Sequence, residues 1–167
     1  MYVERKVRPS LWYFLAVAIN LGVGCFSVGF ALTGNTDVGD ILAVRKKWSD
    51  VEAESNNKWI ATSATIGLSL GSIMSKPITA MGRRLAIMVM NLIMVLISIP
   101  TFFTSDYWVI IFQRFAIGYT SAVIINASSL YISETFPTEI QSKFGTFLNL
   151  GITLGILIML LVGLGLP

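Results

Sequence analysis

Polar and apolar positions come in blocks along this chain. Charged residues fall at 4–8, 37–58, 76–84, 106–114 and 134–143, and the chain between these clusters is almost wholly apolar. The pattern predicts five helical segments, at residues 11–32, 59–78, 85–103, 108–131 and 147–166. Each has about the twenty residues needed to cross a hydrocarbon core of about 30 Å. The expected fold class is all-α, a polytopic transmembrane helix bundle making one domain over residues 1–167. The first run is longer than the 7–15 residue core of a cleavable leader, so it reads as a retained span.

Trp12, Tyr13, Trp59, Tyr107, Trp108 and Tyr131 sit near segment ends, where membrane interfaces favour Trp and Tyr. Pro77 and Pro137 lie near helix ends, and Pro100 is expected to bend or end the third segment. The second segment is the least apolar; its run of Ala, Ser, Thr and Gly from Ala61 to Ser75 suits helix-to-helix packing. The loop at 33–58 is the one long polar stretch. Ile41, Val44, Trp48 and Val51 have near-helical spacing there, which predicts a short amphipathic helix or an extension of the first span.

Composition agrees with a membrane protein. The chain is 54% hydrophobic and 13% charged, whereas soluble domains carry about a quarter charged residues. The net charge of +3 is mostly topology. Arg5, Lys6, Arg8, Lys76, Arg83, Arg84 and Lys143 would lie on one side, and Arg45, Lys46, Lys47 and Lys58 on the other. The positive-inside rule then places the N-terminus in the cytoplasm and the 33–58 loop outside. No basic patch points to nucleic acid. The chain has no histidine and one cysteine, Cys25, so no metal or cofactor is expected. No nucleophile–base pair suggests an enzyme.

Arg114 opens an apolar run that Glu134 closes. At about 1.5 Å per residue the two lie roughly 30 Å apart, so each needs its own partner. Arg114, Gly118, Ala122 and Asn126 recur every four residues, broadened by Ser121, Ser128 and Ser129. That small, polar face is expected to look onto a polar cavity; the alternative for Arg114 is a side chain that snorkels to the outer headgroups. Asn149 in the fifth segment and Asn20 in the first are buried-amide candidates for the same cavity, or for packing beside Gly151 and Gly155. On the cytoplasmic side, Arg83 and Arg84 begin the third helix, where cations oppose the helix dipole. Glu134 and Glu139 are the carboxylates expected to answer them, and Lys143 reaches Glu139 at i,i+4 spacing.

Arg114-x3-Gly118-x3-Ala122, followed by Tyr131-x2-Glu134-x2-Pro137 and Lys143, resembles the sugar-porter signature of the major facilitator superfamily. "SKPITAMGRR" resembles the superfamily's 2–3 loop motif, "FSVGFALTG" the first-span motif and "GTFLNLGITLGIL" the fifth. The resemblance runs from the first span to the C-terminus. It implies the N-terminal half of a twelve-helix rocker-switch transporter, here lacking its sixth helix. A hexose or polyol would bind between two halves. Arg83, Arg84, Glu134 and Lys143 would belong to a cytoplasmic charge network, and Asn149 stands where the family carries a sugar-bonding glutamine.

The sequence departs from the family pattern at several positions. Ser75 replaces the 2–3 motif's glycine and Thr79 its acid; Ala122 replaces a glycine; Gln141 and Ser142 replace an arginine and a glycine. Ala31 stands where proton-coupled members carry an aspartate. No Asp or Glu lies inside the five spans, and proton relays use such groups. The expected function is facilitated diffusion of a hexose-like sugar by alternating access. The expected partners are the lipid bilayer, a sugar, and the missing transporter half or a partner membrane subunit. The second reading is a transporter-derived structural subunit that does not transport.

Overall fold

The structure, a computed structural model, describes residues 11–34, 46–47, 49–102 and 106–165. Five α-helices occupy the described residues: α1 (Leu11–Gly34), α2 (Asp50–Ala80), α3 (Arg83–Ser98), α4 (Tyr107–Thr135) and α5 (Thr138–Gly165). The all-α bundle expected from the apolar blocks is what forms. Helices α1, α4 and α5 are long and apolar enough to cross a membrane, over Phe14–Thr33, Tyr107–Thr135 and Gln141–Gly163. Two helices fall short of those criteria for different reasons. In α2 the hydroxyl and small residues lower the hydropathy. The third is interrupted: α3 stops at Ser98 and a 3₁₀ turn, Ile99–Phe102, continues it through Pro100. Pro100 has no N–H to bond back to the preceding turn, so the α pattern ends there.

Helix α2 begins nine residues before the predicted span. Ser49 N–H donates to Glu52 Oε2 at 3.2 Å, one arm of a capping box that starts the helix at Asp50. Lys58 Nζ donates to Glu54 Oε1 at 2.7 Å one turn along. Ordered helix from the 33–58 stretch therefore extends the second segment from Asp50, and α1 itself runs on to Gly34. Ile41, Val44 and Trp48 lie outside the described residues; Val51 sits exposed on α2. The hydrogen bond from Lys58, then its charge, holds the Glu54 carboxyl below the usual glutamate range. A lowered folded-state pKa means that the pair acts fully above the ordinary range and is lost as pH falls through the lowered value. Lys58→Ala should therefore return the Glu54 titration midpoint to the ordinary range, read by NMR, without measurable loss of thermal stability.

The bundle is built from two seams of close backbone contact. In the first, α2 meets α4. A Cβ on Gly67 would lie 2.1 Å from the Phe115 carbonyl oxygen, and one on Gly71 2.4 Å from that of Tyr119. From the other side, a Cβ on Gly118 would lie 2.2 Å from the Ala64 carbonyl oxygen. In the second, α5 meets α1: Gly151 faces the Gly22 carbonyl and Gly155 that of Phe26. Both seams use two glycines four residues apart against two carbonyls four residues apart, so the chain contains two like helix pairs. Such contact lets backbones approach and supplies the van der Waals gain that replaces the hydrophobic effect between helices in lipid.

Helix α4 is the centre. Its buried residues face all round, from Ile110 to Ile132, because α2, α3, α1 and α5 all pack on it. At one end Phe136 packs between Phe14 and Phe144, tilted against both, with centroids 4.9 and 4.6 Å away. That cluster, with Ala18, Leu21, Ile132 and Leu148, joins α1, α4 and α5. Val28, Met94 and Ile124 join α1, α3 and α4 further along. Met81 and Gly82 alone connect α2 to α3, and Gly82 has φ of 132°, a conformation that only glycine adopts without strain.

Candidate functional site

Arg114 does not reach the surface; it is 5% exposed. Its Nη1 donates to the Leu32 carbonyl at 3.1 Å, in the last turn of α1. The last carbonyls of a helix have no intrahelical donor, and a cation there is favoured by the dipole. Next to it, the buried Gln113 donates Nε2 to the Ile97 carbonyl at 2.9 Å, at the end of α3. Two successive polar residues of α4 thus secure the ends of two neighbouring helices. Gln113 was not among the sequence candidates, though a second polar residue at the same depth of an apolar run was the available clue.

The face that carries Gly118, Ala122 and Asn126 is filled by α2. Gly118 lies on Ala64, Ala122 on Gly71, and Asn126 Nδ2 donates to Ser75 Oγ at 3.1 Å. Its small residues serve backbone approach, and the open cavity expected along this face is not found there. Ser75, in the place of the resembled motif's glycine, is buried and turns its own hydroxyl to the Ser72 carbonyl. Ser121 and Ser128 are buried and face inward, and the Ser121 hydroxyl has no hydrogen-bond partner among the described residues. Arg114 and Asn126 sit twelve residues apart on one helix, about 18 Å, so they do not converge on one ligand.

The open polar surface lies on α2 and α5. Outside its seam with α4, α2 has two exposed sectors. Ile66, Leu70 and Ile73 form an apolar one. Thr62, Thr65, Ser69 and Ser72 form a hydroxyl one, each bonding a carbonyl four residues back. Helix α5 repeats the arrangement. Leu150, Leu154, Leu157 and Leu161 are exposed on one side, and Thr146, Asn149 and Thr153 on the next. Asn149 is therefore exposed and belongs to a polar sector within the apolar stretch Gln141–Gly163.

Arg83, Arg84 and Glu134 gather where α2 turns into α3. Arg83 forms an ion pair with Glu134, both half-exposed. The carboxylate offsets the cation that opens α3. Half-exposed pairs of this kind contribute about 0–1 kcal/mol. Beside the pair, a cavity of about 540 Å³ is lined by Thr79, Gly82, Arg83, Arg84, Tyr131 and Glu134. A second cavity of about 400 Å³ shares Arg84 and Tyr131 and opens between α1, α3 and α4, where Asn20 lines it. Thr79, in the place of the motif's acid, is buried and bonds the Ser75 and Lys76 carbonyls of its own helix. Lys143 is exposed on α5, and the Glu139 side chain lies outside the described residues.

The family model for "Sugar (and other) transporter" matches residues 13–166, nearly the whole chain. The chain belongs to the sugar transporter family. Within it, "Hexose transporter 1" of Plasmodium vivax is 26% identical over 163 residues, covering 94% of this chain and 32% of that protein. "Probable inositol transporter 3" of Arabidopsis thaliana is 26% identical over 172 residues, 95% of this chain and 28% of its own length. "Solute carrier family 2, facilitated glucose transporter member 1" of Gallus gallus is 34% identical over 88 residues, 51% of this chain and 18% of its own length. The chain spans about a third of the length of the hexose transporters it matches. As in other members of the sugar transporter family, its apolar helices make it an integral membrane protein.

Proposed function

We propose that this chain is part of a hexose-type sugar transporter working by facilitated diffusion through alternating access. The observation that carries the proposal is the pair of hydroxyl sectors on α2 and α5. Each lies beside an apolar sector and away from its glycine seam. Polar side chains at membrane depth are costly against lipid and belong on a polar cavity or a partner. The partner wall would come from a second transporter half, because alternating access needs two repeats around a central site. In this reading all five helices cross, with the N-terminus cytoplasmic; α3 and its 3₁₀ turn together reach about 32 Å. Asn149 is the amide open to substrate, while Asn20 lines the separate cavity between α1, α3 and α4. Arg114 and Asn126 shape the wall by fixing α1 and α2 against α4. The Arg83–Glu134 pair, with Arg84, Glu139 and Lys143 around it, is a latch between states.

Facilitation is supported by the absence of Asp and Glu from the predicted spans and by Arg114 bonding a backbone carbonyl beside Ala31. Labelled glucose uptake into proteoliposomes of the full-length protein should persist after the proton gradient is collapsed. Uptake that stops with the gradient would exclude facilitation. The second reading, a membrane subunit without transport, is favoured by Thr79, which leaves the latch one carboxylate short of the resembled motif. Absence of any sugar flux from a correctly inserted full-length protein would support it.

A further inference from the structure

We propose that the cavity between α1, α3 and α4 binds the headgroup and first acyl segment of an anionic phospholipid, with Arg84 as its charge partner. Arg83 and Arg84 are adjacent cations at the start of α3, and Glu134 pairs with Arg83. Arg84 is exposed and has no ion-pair partner among the described residues. Thr79 contributes no charge to this corner, so among the described residues Arg83, Arg84 and Glu134 together carry a net positive charge. Arg84 also lines both cavities, so the cation stands at a concave surface.

The lining matches a lipid better than a free anion. Val17, Leu21, Ile87 and Met88 make apolar walls; Arg84, Tyr131 and Asn20 are the polar groups. These groups are graded in depth. Arg84 is the second residue of α3 and Tyr131 lies in the last turns of α4, the ends that the proposed topology puts at the membrane boundary. Asn20 sits eight residues beyond Trp12 along α1, about 12 Å further in. A phosphodiester against Arg84 would leave an acyl ester carbonyl at the depth of the Asn20 amide and a chain along Leu21 and Met88. Basic pockets between spanning helices suit anionic headgroups, and guanidinium is well matched to phosphate. The proposed orientation puts this corner in the cytoplasmic leaflet, where anionic lipids are held.

The test uses the purified protein in nanodiscs with a small fraction of phosphatidylglycerol in phosphatidylcholine. Lipid retained after gentle detergent release is read by native mass spectrometry. Phosphatidylglycerol should be retained in preference to phosphatidylcholine. Arg84→Gln should weaken that preference about five-fold, the size expected for one cation at a lipid surface, and Arg84→Lys should recover part of it. Asn20→Leu, which keeps the charge and fills the pocket, should also lower retention. Circular dichroism of each variant separates lost binding from lost fold. Equal retention of the two lipids, an unchanged preference in a folded Arg84→Gln, or displacement of the lipid by millimolar inorganic phosphate would overturn the proposal. The last result would make this a free-phosphate site.

Discussion

Gly118→Ala is expected to break the bundle at its centre. The added Cβ would fall 2.2 Å from the Ala64 carbonyl oxygen and 3.1 Å from the Leu68 nitrogen. Both neighbours are backbone, so no rotamer change relieves the clash; α2 must move away from α4. Overpacking costs about 1–3 kcal/mol where side chains can yield, and here about 3 kcal/mol or more is expected. Separating α2 from α4 would also loosen the Asn126–Ser75 hydrogen bond about two turns further on. The matching control is Gly145→Ala in α5, where nothing lies within 4 Å of the new Cβ. It should stay within about 0.5 kcal/mol of the parent. Thermal unfolding in detergent reads both. A Gly118→Ala protein melting with the parent would mean that the α2–α4 seam is not as close as described.

Arg114→Met is expected to release the end of α1. Methionine retains much of the arginine's length and removes the guanidinium that donates to the Leu32 carbonyl. A hydrogen bond from a charged group contributes about 1.5–3 kcal/mol, and relief from burying the charge offsets part of its loss. The expected net destabilisation is about 1–2 kcal/mol, on that same scale. The distinctive readout is local: deuterium exchange should rise in the last turn of α1 and leave the start of α5 unchanged. Arg114→Lys should recover part of the protection, since an ammonium still answers the helix end but with a compact charge in place of a planar fork. Uniform change along the chain would point to a general packing role.

The helices were legible because charge is so scarce between their ends. Arg83, Arg84, Asp106 and Glu134 bound apolar stretches that have no soluble use, and Pro100 marked the stop of α3 in advance. The start of α2 was legible too, in the Ser49-x2-Glu52 spacing, but the loop reading passed over it. What could not be read was which face meets which helix. Gly118, Ala122 and Asn126 form a small, polar stripe, and a stripe of that kind suits a cavity and a tight helix crossing equally well. The structure shows the crossing, because Gly67 and Gly71 on α2 supply the matching gap. The choice of Arg83 over Arg84 as partner for Glu134 was similarly hidden, since adjacent helical residues differ by about 100° around the axis. Gln113 escaped notice because its partner is a backbone carbonyl, which no side-chain pattern announces.

The whole account depends on α4 crossing the membrane from Tyr107 to Thr135, with the Arg114 end and the Glu134 end in opposite leaflets. At 29 residues the helix is about 44 Å long, enough to put its two ends in different compartments. In a Cys25→Ala background, single cysteines at Asp106 and Lys143 can be probed with an impermeant maleimide from each side of sealed vesicles. The account predicts labelling of Asp106→Cys from one side only and of Lys143→Cys from the other only. Labelling of both from the same side would contradict it.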